Sequence, residues 1–146
     1  MIKIRKIREE DLAKLAELFK SVFNRAPWSE NWKYDWVYQR LFIIFMSYGF
    51  YGCLAESNNI IVGSVLSRIS SYKGELELEI VECFVSTEAQ RQGVGSALLD
   101  NLMLYSKKQK ISSLILFTDR NTYANEFYKK YGFLSHDENV FMSYKV

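Results

Sequence analysis

Strand-like alternation and helical spacing of apolar residues follow one another along this chain. The opening segment "IKIRKI" alternates apolar and charged positions, which predicts a first strand. The next segment predicts a helix, because its apolar residues recur every three or four positions: Leu12, Leu15, Ala16, Phe19 and Val22. Pro27 then interrupts, and "SENWKYDWVYQRLFIIF" predicts a second helix with Ser29 as its N-cap.

The pattern after Gly49 is typical of strands. "FYGCLAE" and "IIVGSVLSRIS" flank a turn at "SNN" and predict a hairpin. A second turn at "SYKG" leads into "ELELEIVECFV", the longest strand signal. A helix follows, with one apolar face formed by Val94, Leu98, Leu102 and Tyr105. The chain then predicts a strand at "SSLILFT", a short helix at "YANEFYKKYGF" and a last strand at "VFMSYKV".

This order of elements predicts one α+β domain over residues 1–146, with a mixed sheet and helices on its faces. The composition agrees, since 49% of the residues are hydrophobic and no repeat or linker divides the chain. A formal charge of +2 gives no reason to expect nucleic acid or a membrane surface as a partner.

Cysteine and histidine are too few to predict a metal site. Cys53 and Cys83 lie in strand-like runs, and His136 lies in the polar turn "SHDEN". The first residues lack the apolar core of a signal peptide, and "LFIIFM" is too short to cross a bilayer. We therefore expect a cytoplasmic protein with reduced cysteines acting as small core residues.

Two glycines, Gly93 and Gly95, stand between the longest strand and the helix that follows it. They serve either a strand-to-helix turn that needs positive φ or the close approach of an anion to bare backbone amides. A dinucleotide fingerprint is disfavoured because Leu98 replaces its third glycine, and a P-loop is excluded because no Gly-Lys-Ser/Thr follows.

Two motifs together resemble the GNAT superfamily of N-acetyltransferases. "QRQGVGSALL" resembles its acetyl-coenzyme A loop, Q/R-x-x-G-x-G/A, and "NTYANEFYKKYGF" resembles its N-x-x-A-x-x-F-Y-x-x-x-G-F segment. The likeness runs from about Phe50 to the end of the chain. It implies a twisted, mostly antiparallel sheet of six to seven strands with one splayed parallel pair and about four helices.

The resemblance also implies acetyl-CoA as the acetyl donor. It assigns the cofactor contacts to Phe84, Val85, Gln90, Arg91, Gln92, Gly93, Val94, Gly95, Ser96, Asn121 and Tyr128. In such a site the amides of residues 92–96 hold the diphosphate. Backbone groups near Val85 pair with the pantetheine arm and polarise the thioester carbonyl.

Glu82 is the candidate general base. Without interruption, strand parity places Glu75, Glu77 and Glu79 on one face and Glu82 on the opposite, apolar face. Burial there would raise the pKa of Glu82 toward neutrality, which suits proton removal from a substrate ammonium. The alternative is a β-bulge that returns Glu82 to solvent.

Tyr128 resembles the family's general acid, which protonates the departing thiolate. The alternative is a core aromatic residue, since its helix also carries Tyr123, Phe127 and Tyr131. Trp28, Trp32 and Trp36 recur every four residues and would share one helical face. Most of them are expected to pack on the sheet, while some line an acceptor site in which Glu30 or Asp35 favours a cationic amine.

These residues favour an N-acetyltransferase that acts on a primary amine by direct attack in a ternary complex. A non-catalytic acetyl-CoA-binding module would keep the glycine loop without needing Glu82 or Tyr128. A nucleotide-binding protein is disfavoured by the missing third glycine. The expected partner is a small-molecule, peptide or protein amine, and a homodimer is open.

Overall fold

A single five-stranded sheet organises the computed structural model, which describes residues 1–146. The strands are β1 (Ile2–Lys6), β2 (Tyr51–Ser57), β3 (Ile60–Tyr72), β4 (Glu75–Val85) and β5 (Ser113–Leu116). The helices are α1 (Leu12–Phe23), α2 (Tyr34–Phe45), α3 (Val94–Lys108) and α4 (Tyr123–Tyr131). Strands β1 to β4 pair antiparallel in chain order, and β5 pairs parallel with β4. The predicted α+β class and mixed sheet are confirmed.

Both predicted tight turns form, and residues with left-handed backbone build them. Asn58 and Asn59 link β2 to β3 with φ of 53° and 63°. Lys73 and Gly74 link β3 to β4 with φ of 51° and 81°. Asparagine and glycine tolerate this conformation at low cost, and paired positive φ angles match the twist of a hairpin.

The sheet is covered on both faces because its central strands alternate between two cores. Leu54, Leu66 and Phe84 face α1 and α2, while Cys53 and Val65 face α3. All five positions predicted for the apolar face of α1 are buried. No helix in the structure has the length and apolarity needed to span a membrane.

The predicted last strand does not form, so the sheet has five strands rather than six or seven. Residues 140–146 pair with no strand, and Phe141, Met142 and Tyr144 are more than four-fifths exposed. Alternating apolar residues give this segment strand propensity, but a strand also needs a partner edge. The free edge of the sheet nearest in sequence belongs to β5, which is only four residues long.

The second helix begins later than its sequence pattern predicts. It starts at Tyr34 with Lys33 as its N-cap, because Ser29 and Asn31 have positive φ angles of 48° and 58°, which a right-handed helix excludes. Ser29 is therefore not the cap. Only Trp36 of the three tryptophans lies on the helix, so the predicted tryptophan face is wrong.

Candidate active site

A gap opens in the sheet where β4 outruns its parallel neighbour. Pairing between β4 and β5 ends at Ile80 with Leu116, and β4 continues alone to Val85. The backbone of residues 81–85 therefore has no strand partner on this side.

A β-bulge at Val81 decides where Glu82 lies. Ser67 of β3 pairs with Ile80 and Leu66 pairs with Glu82, so Val81 is the extra residue. The bulge moves Glu82 away from the face of Ile80 and onto the face that Glu79 shares. The predicted parity of Glu82 is therefore wrong, and the alternative prediction of a bulge is right. Glu82 nevertheless does not return to solvent, because α2 covers this face.

The carboxylate of Glu82 is nearly buried, with 14% of its side chain exposed. Its Oε1 accepts a hydrogen bond from Nη2 of Arg40 at 3.3 Å, whereas its Oε2 is buried without a partner. Burial raises the pKa of Glu82 from 4.5 to about 7, and the Arg40 guanidinium offsets only part of the increase. The group can thus exchange a proton near neutral pH.

Glu82 lines a cleft of about 710 Å³ between α2 and the sheet. Trp32 and Trp36 form part of its wall. Trp28 lies elsewhere and packs against Phe23 and Tyr123. A cleft of this size accommodates a small organic molecule or the end of a longer chain.

Tyr128 approaches the same gap from the opposite side. It lies on α4 with its hydroxyl facing the thiol of Cys83, the residue after Glu82, and with its ring against Phe127 and Phe133. Burial raises the pKa of Tyr128, and proximity to Cys83 and Glu82 adds to the increase. Burial also raises the pKa of Cys83 to about 12. Both groups are therefore protonated at neutral pH.

The glycine loop presents free backbone donors at the start of α3. No backbone carbonyl of the chain accepts a hydrogen bond from the amides of residues 92–96. Gly93 is the N-cap with φ of +84°, and no atom outside its chain neighbours lies within 4 Å of where its Cβ would be. Arg91, two residues before Gly93, is exposed and also has a left-handed backbone, with φ of +63°. The loop combines open space with unpaired N–H groups.

Gly95 has a different reason to be glycine. A Cβ there would lie 3.0 Å from Cζ of Phe127, the residue before Tyr128. The missing side chain lets α3 and α4 pack closely. The positive φ of Gly93 confirms the predicted turn, whereas Gly95 is glycine because a phenyl ring packs against it. The approach of an anion to the loop amides stays a prediction.

Replacing Gly95 by valine should lower the free energy of unfolding by about 1–3 kcal/mol, because the ring of Phe127 must move. Urea denaturation measures this. Gly93→Ala is the matched control: it meets no atom, and its cost of about 1–2 kcal/mol comes from the left-handed backbone alone. A Gly95→Val protein as stable as the parent would contradict the packing role.

The remaining residues predicted for cofactor contact divide into free and occupied groups. The Gln90 and Gln92 amides donate to the carbonyls of Val85 and Glu88, so these side chains brace the loop. Val94 is buried. Two further residues predicted to contact the cofactor, Ser96 and Asn121, have exposed side chains. The ring of Phe84 packs in the core against Phe19.

Comparison with known families decides what this arrangement belongs to. The model of the acetyltransferase (GNAT) family matches residues 12–133. The chain belongs to this family. The matched range includes the glycine loop, Glu82 and Tyr128, and so covers the gap and both of its sides.

This GNAT chain is similar to two proteins that are named as N-acetyltransferases. An uncharacterized N-acetyltransferase of Methanocaldococcus jannaschii is 30% identical over 142 residues, which is 89% of this chain and 59% of the relative. The probable N-acetyltransferase san of Drosophila melanogaster is 33% identical over 82 residues, 55% of this chain and 45% of the relative. The chain thus spans about half the length of the curated relatives it matches.

A solved structure shows the same fold. An aminoglycoside acetyltransferase from an uncultured soil metagenomic sample, in complex with sisomicin, superposes with a TM-score of 0.78. It covers 99% of this chain and 96% of its own, at 24% identity.

Sequence reasoning missed the charged partners in the cleft of this GNAT domain. Arg40 pairs with Glu82, 42 residues away, and Arg68 pairs with Glu79 through Nε and Oε1 at 3.1 Å. Helical spacing places Arg40 one turn after Trp36, which is a signal that it shares the tryptophan's face. Nothing local to Arg40 or Arg68 identifies the acidic partner, because only the packing of α2 on the sheet brings them together.

Proposed function

We propose that this domain transfers the acetyl group of acetyl-CoA to a primary amine by direct attack within a ternary complex. The observation that carries the proposal is that two groups able to exchange a proton lie on opposite sides of the gap between β4 and β5. Glu82 presents a buried, unpartnered carboxylate oxygen from one side, and Tyr128 presents a protonated hydroxyl from the other. Acetyl transfer from a thioester to an amine needs one group that accepts a proton and one that gives it.

The donor fits the residues of the loop. Five free amides and the positive end of the α3 dipole suit a diphosphate, and the bare Gly93 leaves room for its oxygens. Arg91 supplies a positive charge beside them. The backbone of residues 81–85 has no strand partner on this side and offers strand-like hydrogen bonds to the amides of the pantetheine arm, except at the Val85 carbonyl, which accepts from the Gln90 side chain. Acetyl-CoA supplies the activated carbonyl when bound.

In this mechanism Glu82 accepts a proton from the substrate ammonium, directly or through water, at the Oε2 that no protein group occupies. The free amine then attacks the thioester carbonyl, and a backbone amide near Val85 stabilises the oxyanion. As the C–S bond breaks, Tyr128 gives its proton to the departing sulfur, and the nitrogen loses its second proton, which restores the Tyr128 hydroxyl directly or through water. Glu82 then releases the proton that it accepted to solvent. The acetylated amine and coenzyme A are the products.

Coenzyme A release, measured with a thiol reagent at varied concentrations of acetyl-CoA and amine, tests the proposal. We expect intersecting double-reciprocal lines, because both substrates must be bound before transfer. Parallel lines would show an acetyl-enzyme and overturn direct attack. Tight binding of acetyl-CoA with no turnover of any amine would instead support a non-catalytic binding module.

A further inference from the structure

We propose that the acceptor is an amine with one positive charge attached to an uncharged, apolar body, and not a polyamine or aminoglycoside. This inference rests on the proposed function and concerns the cleft beside Glu82. Seven of its twelve lining residues are hydrophobic, and three of them, Trp36, Ile43 and Phe117, are more than half exposed. Large apolar side chains held open to solvent around a cleft are surface that a ligand can cover.

The charged groups of the cleft are already paired with one another. Arg40 lies 3.3 Å from Glu82, and Arg68 lies 3.1 Å from Glu79, so two cations balance two carboxylates when Glu82 is ionised. The exception is a single atom, Oε2 of Glu82, which is buried and accepts no hydrogen bond. Glu82 therefore has one acceptor left for one ammonium, which contacts it when the covered Oε2 turns toward the cleft.

Groups at the rim do not change this balance. Nζ of Lys33 lies 4.9 Å from the ring centre of Trp36, which adds a positive charge. The exposed carboxylate of Glu30 is held by Nε1 of Trp32 at 2.8 Å and lies near enough to raise the pKa of Glu82 slightly. A second ammonium inside the cleft would find Glu79 already paired and would face Arg40 and Arg68. Glu30 bonds to an indole and to no cation, but it lies at the exposed rim and not inside the cleft. An acceptor carboxylate would likewise find no unpaired guanidinium.

The solved GNAT structure with sisomicin shows that a domain of this fold can hold a polycation. The fold thus leaves acceptor charge open, and the side chains of the cleft decide it. In this chain those side chains favour an amine next to an aromatic or aliphatic group. The same chemistry occurs in a free aralkyl amine and in a peptide whose first residue is apolar.

A panel of defined acceptors tests the inference through kcat/KM for coenzyme A release. The probes are 2-phenylethylamine, a C-terminally amidated tripeptide that begins with phenylalanine, spermidine and sisomicin. We expect at least one of the two apolar monoamines to exceed both polycations by roughly 100-fold. The better of the two monoamines identifies the source. Equal or faster turnover of spermidine or sisomicin would overturn the inference while leaving acetyl transfer standing.

Binding gives a readout that does not depend on turnover. Trp32 and Trp36 line the cleft, so their fluorescence should respond to an apolar amine at lower concentration than to spermidine. Absence of turnover with this order of binding would refute the proposed function but support the inference about the cleft. The reverse order of binding would overturn the inference.

Arg68→Gln tests the pairing argument directly. It frees the carboxylate of Glu79 and leaves Arg40 and Glu82 in place, so kcat/KM for spermidine should rise about tenfold. The readout is the ratio of kcat/KM for spermidine to that for 2-phenylethylamine, which should rise by a similar factor. An unchanged preference between spermidine and 2-phenylethylamine would overturn the inference that paired charges in the cleft exclude a second ammonium.

Arg8→Gln is the matched control, because Arg8 pairs with Glu10 at 3.4 Å outside the cleft. It removes the same charge, and we expect no change in selectivity; an equal gain with spermidine would assign the effect to net charge and overturn the inference.

Glu79→Gln gives a second test that leaves Arg68 uncompensated. It should lower spermidine turnover further, and a gain there would also contradict the inference.

Discussion

Glu82→Gln should lower kcat/KM by about 10³-fold, within the range of about 10² to 10⁴ that a general base contributes. Glutamine keeps the size of the side chain and can still contact Arg40, but it cannot take a proton from the substrate ammonium. The measurement is coenzyme A release with the best acceptor of the panel. Full activity in a folded Glu82→Gln protein would remove Glu82 from the mechanism.

The pH profile separates a base from a residue that only shapes the cleft. The carboxylate of the parent protein loses its proton as pH rises through about 7, so kcat/KM should rise through that value and then level off. The variant should lack this limb. Ionisation of the free amine lies well above neutral pH and contributes equally to both proteins.

The same substitution should stabilise the fold at alkaline pH. The folded-state pKa of Glu82 is raised from 4.5 to about 7, so its proton is bound more tightly in the folded protein. This contribution is complete below pH 4.5 and is lost as pH rises through 7. At pH 8 the parent therefore carries a penalty on the order of 3 kcal/mol that Glu82→Gln avoids.

Thermal unfolding at pH 5 and pH 8 measures the effect on stability. The variant should gain several degrees over the parent at pH 8, and less at pH 5. Glu77→Gln is the matched control, since Glu77 lies on the same strand but hydrogen-bonds to Ser113 at the surface. It should leave activity unchanged and should not reproduce the stability gain of Glu82→Gln.

The sequence predicts the elements of this fold where a local pattern is sufficient. The face of α1, both hairpin turns and the helix after the glycines all follow from spacing and turn chemistry within about 15 residues. Residues 140–146 show the limit of that reasoning. Their alternation is as regular as that of β1, but β1 has β2 beside it and the last segment has no partner.

The candidate site could be predicted by residue type but not by geometry. Parity predicts a raised pKa for Glu82 by placing it on the α3 face, whereas the bulge at Val81 places it on the α2 face. The pKa is raised in either position because helices cover both faces of the sheet. Bulges depend on the register with a neighbouring strand, so a single strand does not reveal them.

The paired charges of the cleft are equally invisible along the chain. Arg40 and Glu82 belong to a helix and a strand that meet only in the folded domain. The glycine loop is the opposite case, because its chemistry is carried by consecutive backbone amides. A motif of contiguous residues therefore predicts the donor site, while the acceptor site depends on packing.

Tyr128→Phe should lower kcat by about 10²-fold and leave the affinity for coenzyme A within about threefold. The expected loss lies at the low end for a general acid, because a thiol is itself a moderately good leaving group with a pKa of about 8.5. Phenylalanine retains the ring contacts with Phe127 and Phe133, so the packing of α4 is preserved.

Tyr131→Phe is the matched control on the same helix, because it removes a hydroxyl that hydrogen-bonds to Asp100 at 2.7 Å near the surface. Single-turnover measurements with saturating donor and acceptor assign the Tyr128 effect to the chemical step rather than to product release. A hydroxyl that only filled space beside Cys83 would leave kcat unchanged when removed.

Because burial keeps Tyr128 protonated across the working range, its loss should lower kcat by the same factor from pH 6 to pH 9. The loss from Glu82→Gln should instead grow through pH 7, so the two profiles distinguish the donor of a proton from its acceptor.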